Sequence, residues 1–102
     1  YQISVYIEDH LSEDLSAAKL CRIFDVSRSR LFEISKQYFG VSIARHIKKR
    51  RMQTAALLLE DPKRRIGEVA ALVGIEDQNY FSKMFKAEMG STPSTWRTAH
   101  QM

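Results

Sequence analysis

A repeat is the feature that most constrains this chain. Ala17, Leu20 and Cys21 match Ile66, Val69 and Ala70 at a separation of 49 residues. From Ser27 onward the separation is 50: Ser27 with Asp77, Leu31 with Phe81, Ile34 with Met84, Lys36 with Lys86, Gly40 with Gly90, Ser42 with Thr92. The extra residue falls in a connection, where insertions disturb a fold least. One supersecondary unit is therefore written twice: a short helix, a tight turn, a longer capped helix. That is the layout of a helix-turn-helix.

The rest of the chain agrees. No stretch alternates apolar and polar residues long enough for a convincing strand, so an all-α fold of seven helices is expected. The first covers Gln2 to Asp9, with Ile3, Tyr6, Ile7 and His10 along one side. Ser16 caps a short helix to Phe24, and Ser27 caps a longer one to Phe39 with Leu31, Ile34 and Tyr38 inward. Ser42 caps the longest, to Glu60, with Ile43, Ile47, Ala55, Leu58 and Leu59 inward. Ile66 to Val73 is short again. Asp77 caps a helix to Met89 with Phe81, Met84 and Phe85 inside, and Pro93 opens a last helix towards His100 that packs through Trp96. Gly40, Gly74 and Gly90 follow helices, where a left-handed residue ends them, while Gly67 stands at the start of a segment.

These elements divide the chain into a first helix-turn-helix subdomain (residues 1–41), a linker helix (42–61) and a second subdomain (62–102). The linker's helix from Ser42 to Glu60, 19 residues, spans about 28 Å. Successive major-groove faces of B-DNA lie about 34 Å apart, so such a rod is expected to set two helices into adjacent turns of one groove.

Composition decides the class of partner. Sixteen Lys and Arg oppose twelve Asp and Glu, a net +4. The first fifteen residues hold Glu8, Asp9, Glu13 and Asp14 and no Lys or Arg, which leaves +8 on the other 87. A basic body behind an acidic leader points to a polyanion, either nucleic acid or an anionic membrane surface. No apolar run approaches the ~20 residues of a membrane span. A single cysteine excludes an internally disulfide-stapled scaffold, and a cytoplasmic setting is expected. Opening on Tyr1, the chain is expected to be a piece of a longer protein.

With the inward positions removed, the two longer capped helices leave matching faces. The first presents Arg28, Ser29, Phe32, Glu33 and Lys36, the second Gln78, Asn79, Ser82, Lys83 and Lys86. Gln and Asn can bond adenine N6 and N7, and Arg or Lys can bond guanine O6 and N7. Most of these residues crowd the N-terminal half of the helix, the end that enters the groove in a helix-turn-helix. Solvated helix faces are the plain alternative for any one residue, and the weaker alternative for two faces that match. Phe32 reads first as packing against a neighbouring helix and second as a contact to a thymine methyl. Glu33 repels phosphate but can accept from cytosine N4.

Lys36 and Lys86, further along, suit phosphates, as do Ser27 and Ser82. Of the run Lys48-Lys49-Arg50-Arg51 only part can share a face; Lys48 is a phosphate candidate, and Arg51, near the apolar stripe, an ion-pair partner or packed stem. Arg64 and Arg65 in the loop before the second unit are further phosphate candidates. Each phosphate neutralised steepens the log–log salt dependence by about 0.9.

Several motifs together resemble the DNA-binding domain of the AraC/XylS family of bacterial transcription regulators, over Ile3 to Arg97. They are Tyr6-Ile7, Leu20-Cys21, Ser27-x3-Leu31, Gly40-x-Ser42, Arg51-Met52-x2-Ala55-x2-Leu58-Leu59 and Ile66-x2-Val69-Ala70-x3-Gly74-Ile75-x-Asp77. The most specific is Tyr80-Phe81-Ser82-Lys83-x-Phe85-Lys86-x3-Gly90-x2-Pro93-x2-Trp96-Arg97. The resemblance implies two homeodomain-like helix-turn-helix units on a linker helix, with the third and sixth helices in the major groove. Its base-facing positions fall on Arg28, Ser29, Phe32, Glu33, Gln78, Asn79, Tyr80 and Lys83. It also implies double-stranded operator or promoter DNA and RNA polymerase as partners, and a separate sensing or dimerising domain on the same polypeptide. Of the two regulatory modes, activation is the expectation. Glu33 stands where a basic or polar residue is common, Ser35 and Ile75 where Phe is usual, and Cys21 where Ala is.

Catalysis finds no foothold. His10, His46 and His100 lack the paired spacing of a metal site, Cys21 lies on an apolar face, and no glycine-rich phosphate loop is present. No cofactor is expected. The competing reading is a protein-interaction module, which accounts for an exposed Phe32 and the acidic leader without DNA. A membrane-surface role ranks third, since no helix pairs a basic face with a wide apolar one.

Overall fold

The structure is a computed structural model that describes residues 2–100. Its elements are α1 (Gln2–Asp9), α2 (Ala17–Phe24), α3 (Arg28–Phe39), α4 (Ile43–Leu58), α5 (Ile66–Leu72), α6 (Gln78–Met89) and α7 (Pro93–His100). Seven helices and no strands make the described chain all-α. It forms two compact units that divide within α4, residues 1–50 and residues 51–102.

In the first unit, four-residue spacing sets Ile3 and Ile7 on one side of α1, with Leu11 continuing the line beyond its end; all three are buried. Leu15, Leu20, Leu31 and Ile47 complete that core, and Tyr6, Cys21, Phe24 and Ile34 pack around it. Ser16 Oγ accepts from Lys19 N at 3.3 Å and Ser27 Oγ from Arg30 N at 3.0 Å, so both expected caps form. Between α2 and α3 the chain turns through Asp25 at φ 53°, with the Asp25 N–H donating to Cys21 O. Ser35, on the buried side of α3, donates its hydroxyl to Leu31 O at 2.9 Å, which satisfies the one polar side chain that is buried among the described residues.

Tyr38 departs from the inward position expected for it and is 67% exposed. It follows Leu31 by two turns on the same side of α3. There the opposite wall is the beginning of α1, and Tyr38 lines an open groove with Ile3, Ser4, Ile34 and Phe39.

In the second unit Met52, Ala55 and Leu59 of α4 and its end meet Val69 and Ala70 of α5 and Phe81 and Phe85 of α6, all fully buried. Trp96 of α7 packs edge-on against Phe85, ring centres 5.8 Å apart. Asp77 Oδ1 accepts from Asn79 N at 2.9 Å and Tyr80 N at 3.1 Å, fixing the first turn of α6. Gly40 and Gly90 close α3 and α6 in the left-handed region, at φ 75° and 91°.

α4 stops at Leu58 rather than at Glu60. Glu60 N bonds Leu57 O and Asp61 N bonds Leu58 O, three residues back, so the last turn tightens. Pro62 is the cause, since proline disfavours helical geometry in the residue before it.

Candidate nucleic-acid interface

Each unit presents one capped helix whose outward side is polar. On α3, Arg28, Ser29, Phe32, Glu33 and Lys36 are all exposed. On α6, Gln78, Asn79, Tyr80, Lys83 and Lys86 are exposed, while Ser82 is half-buried. The inner sides of the same helices supply Leu31 and Ser35, then Phe81, Met84 and Phe85. Burial of one side therefore fixes which residues the other can offer.

Phe32 is not packed away against a neighbouring helix: it is 58% exposed, with Lys36 Nζ 5.7 Å from its ring centre. Phe32 and Arg28 line one depression with Ala17, Ser42, Ile43 and Ala44. Glu33 Oε2 accepts from Arg30 Nη1 at 3.3 Å, so its carboxylate already faces a cation on its own helix. Ser27 spends its oxygen on the Arg30 amide as a cap.

The basic runs separate into exposed and engaged members. Lys48, Lys63 and Arg65 are exposed. Arg64 is half-buried, its Nε 3.6 Å from Asp61 Oδ2. In the other run Arg50 Nε donates to Glu8 Oε1 at 2.8 Å, and Arg51 is half-buried, as a packed stem requires. The acidic leader is engaged locally as well. Besides Glu8, Asp14 Oδ1 accepts from Ser16 N at 2.9 Å, and Glu13 Oε2 lies 3.9 Å from His10 Nε2.

Two contributors escaped the sequence reading. Arg97 reaches from α7 to the carbonyls of Leu59, Asp61 and Arg64, bracing the loop that carries the second basic run. Gly67 of α5 lies against the side chain of Gln78. Neither is announced by composition or spacing, because each acts on backbone or side-chain atoms distant in sequence.

Burial pushes the His46 imidazole below its ordinary value; Glu8 raises it in part, and Arg50 and Lys49 lower it further. His46 stacks on Phe39 with ring centres 3.7 Å apart. The described residues hold no cluster of three or more His, Cys, Asp or Glu arranged for a metal ion. No helix among them is long and apolar enough to cross a membrane.

Comparison with known proteins agrees with this architecture. A helix-turn-helix domain model matches residues 20–99. The chain is 36% identical over 93 residues to the arabinose operon regulatory protein of Escherichia coli, covering 90% of this chain and 32% of that protein. It thus spans about a third of the length of such relatives. Among solved structures, the C-terminal domain of AraT, a response regulator from Geobacillus stearothermophilus, superposes with a TM-score of 0.94 at 34% identity. That match covers 99% of this chain and 84% of AraT's. The fold is also that of the DNA-binding domain of AdpA, a global transcriptional factor solved in complex with a target DNA, at TM-score 0.91 and 22% identity, covering 97% and 89%. The chain belongs to the AraC/XylS family of transcription regulators and carries that family's DNA-binding helix-turn-helix domain.

Proposed function

We propose that this chain binds double-stranded DNA with sequence preference, α3 and α6 entering successive major-groove segments by their N-terminal halves. The carrying observation is the duplicated face: Arg28, Ser29, Phe32 and Glu33 in one unit and Gln78, Asn79 and Lys83 in the other are exposed at corresponding steps of the repeat. Tyr80 is exposed beside them. The target DNA in the AdpA complex supports the same reading for a shared fold.

The roles follow from hydrogen-bonding capacity. Arg28 and Lys83 donate to guanine O6 and N7, Gln78 and Asn79 pair with adenine, and Glu33 accepts from cytosine N4. Phe32 offers its face to a thymine methyl, and Ser29 and Tyr80 supply further base contacts. Phosphates are met by Ser27, Lys36, Lys48, Arg64, Arg65, Ser82 and Lys86. The subdomains 1–41 and 62–102 then act through the joining segment 42–61. Within a longer, cytoplasmic polypeptide that carries a sensing or dimerising domain, such a module recruits or contacts RNA polymerase at promoters and activates transcription.

A titration on random duplex DNA at several salt concentrations tests the reading against a protein-interaction module. DNA binding predicts affinity that falls steeply with salt, about 0.9 log units per log unit for each phosphate contacted. Flat or absent affinity favours the interaction module instead. Glu8, Glu13 and Asp14 each also lie against a group within the first unit.

A further inference from the structure

Gly67 is the glycine that ends no helix. It is the second residue of α5, and glycine, roughly 1 kcal/mol less favourable than alanine in a helix interior, is still the weaker helix former in a first turn. Helix formation alone therefore argues for a side chain at this position.

The neighbouring atoms supply a reason for its absence. A Cβ on Gly67 would stand 3.0 Å from Gln78 Oε1 and 3.9 Å from Gln78 Cδ, the carboxamide of the residue that opens α6. A contact that tight requires the amide to shift by a few tenths of an ångström. The backbone beneath Gln78 is fixed by the Asp77 cap on the next two amides, so the shift falls on the side chain. The repeat provides an internal contrast. In the first unit the corresponding positions are Ala18 and Arg28: where the longer helix does not open on glutamine, the shorter helix carries a Cβ.

We propose that Gly67 is a positioning residue for base recognition by Gln78. The bare backbone of α5 is a shelf for the carboxamide, and it sets the reach with which Gln78 presents its paired acceptor and donor to adenine. Bidentate recognition needs the oxygen and the nitrogen to meet N6 and N7 together. A displaced oxygen loses one bond while the other persists. The inference rests on the reading of α6 as a groove-entering helix.

The test uses the 102-residue chain and a duplex selected from a random pool, varied one base pair at a time. Affinities are measured for the wild type, Gly67→Ala, Gln78→Ala and the double variant, with the thermal midpoint of each. Gly67→Ala is expected to melt at or above the wild type and to lose about five- to tenfold of discrimination at a single base pair. That base pair is the one that Gln78→Ala relaxes, and the double variant matches Gln78→Ala. Discrimination unchanged within about twofold in Gly67→Ala, or a double variant weaker than Gln78→Ala, overturns the positioning role while leaving the reading of α6 intact. If Gln78→Ala relaxes no base pair, recognition by this residue fails, and the role of Gly67 with it.

Discussion

The Arg97 guanidinium donates from Nε to the carbonyl oxygen of Leu59 at 2.9 Å, joining α7 to the residue just beyond α4. The same side chain donates to Asp61 O at 3.2 Å and to Arg64 O. Asp61 O also accepts from Arg64 N at 3.2 Å, and a forked cation meets all three carbonyls at once. Arg97→Ala is expected to destabilise the second unit by about 2–3 kcal/mol, and Arg97→Lys by less, since an ammonium keeps part of the bonding although it cannot span the three acceptors. Urea unfolding with an unchanged slope measures this. A midpoint equal to that of the wild type would show that water replaces the guanidinium without cost.

Asn79 and Lys83 are exposed on the side of α6 opposite Phe81 and Phe85. Replacing either with Ala should cost about 1–3 kcal/mol at a preferred site and relax preference at one base position. Competition binding between preferred and random duplexes separates the outcomes. Equal loss on both would make these residues phosphate contacts.

Lys86 lies in the last turn of α6, beyond the half expected to meet bases. Lys86→Ala should weaken preferred and random duplexes alike and lower the magnitude of the log–log salt slope by about 1. An unchanged slope removes Lys86 from the phosphate contacts.

His46 gives the first unit a pH dependence of defined sign. Its folded value is lowered from 6.5, chiefly by burial, so the unfolded chain binds this proton more readily. The contribution to stability is complete above the unfolded value and is lost as pH falls through 6.5 towards the folded value. His46→Phe keeps an aromatic ring over Phe39 but carries no titrating nitrogen. Its thermal midpoint should vary less than that of the wild type between neutral and mildly acidic pH. Identical slopes would assign the acid sensitivity to other groups.

What the sequence made legible was whatever recurs or punctuates. Ser16, Ser27 and Asp77 marked helix starts because a short side-chain acceptor is the cheapest way to satisfy free amides at those ends. Gly74 marked its turn, whereas Asp25, 49 residues earlier in the repeat, takes the same left-handed step at φ 53° without a glycine to announce it. Aspartate tolerates that region through local hydrogen bonding, and only the repeat could have pointed to it. Tyr38 was misplaced because helical spacing gives a direction but not the depth of the opposing wall. The ion pair of Glu8 with Arg50, 42 residues apart, and the brace from Arg97 depend on tertiary placement that no local pattern encodes. On the candidate interface the outward residues could be read from the repeat, while Gly67, which shapes the space for one of them, could not.

Selection from a random duplex pool tests the central claim most directly when run on the wild type alongside Arg28→Ala and Asn79→Ala. Two groove-entering helices predict two separate blocks of base preference, one weakened only by the change on α3 and the other only by the change on α6. Enrichment of a single block, insensitive to one of the two substitutions, or of no sequence at all, would contradict the account.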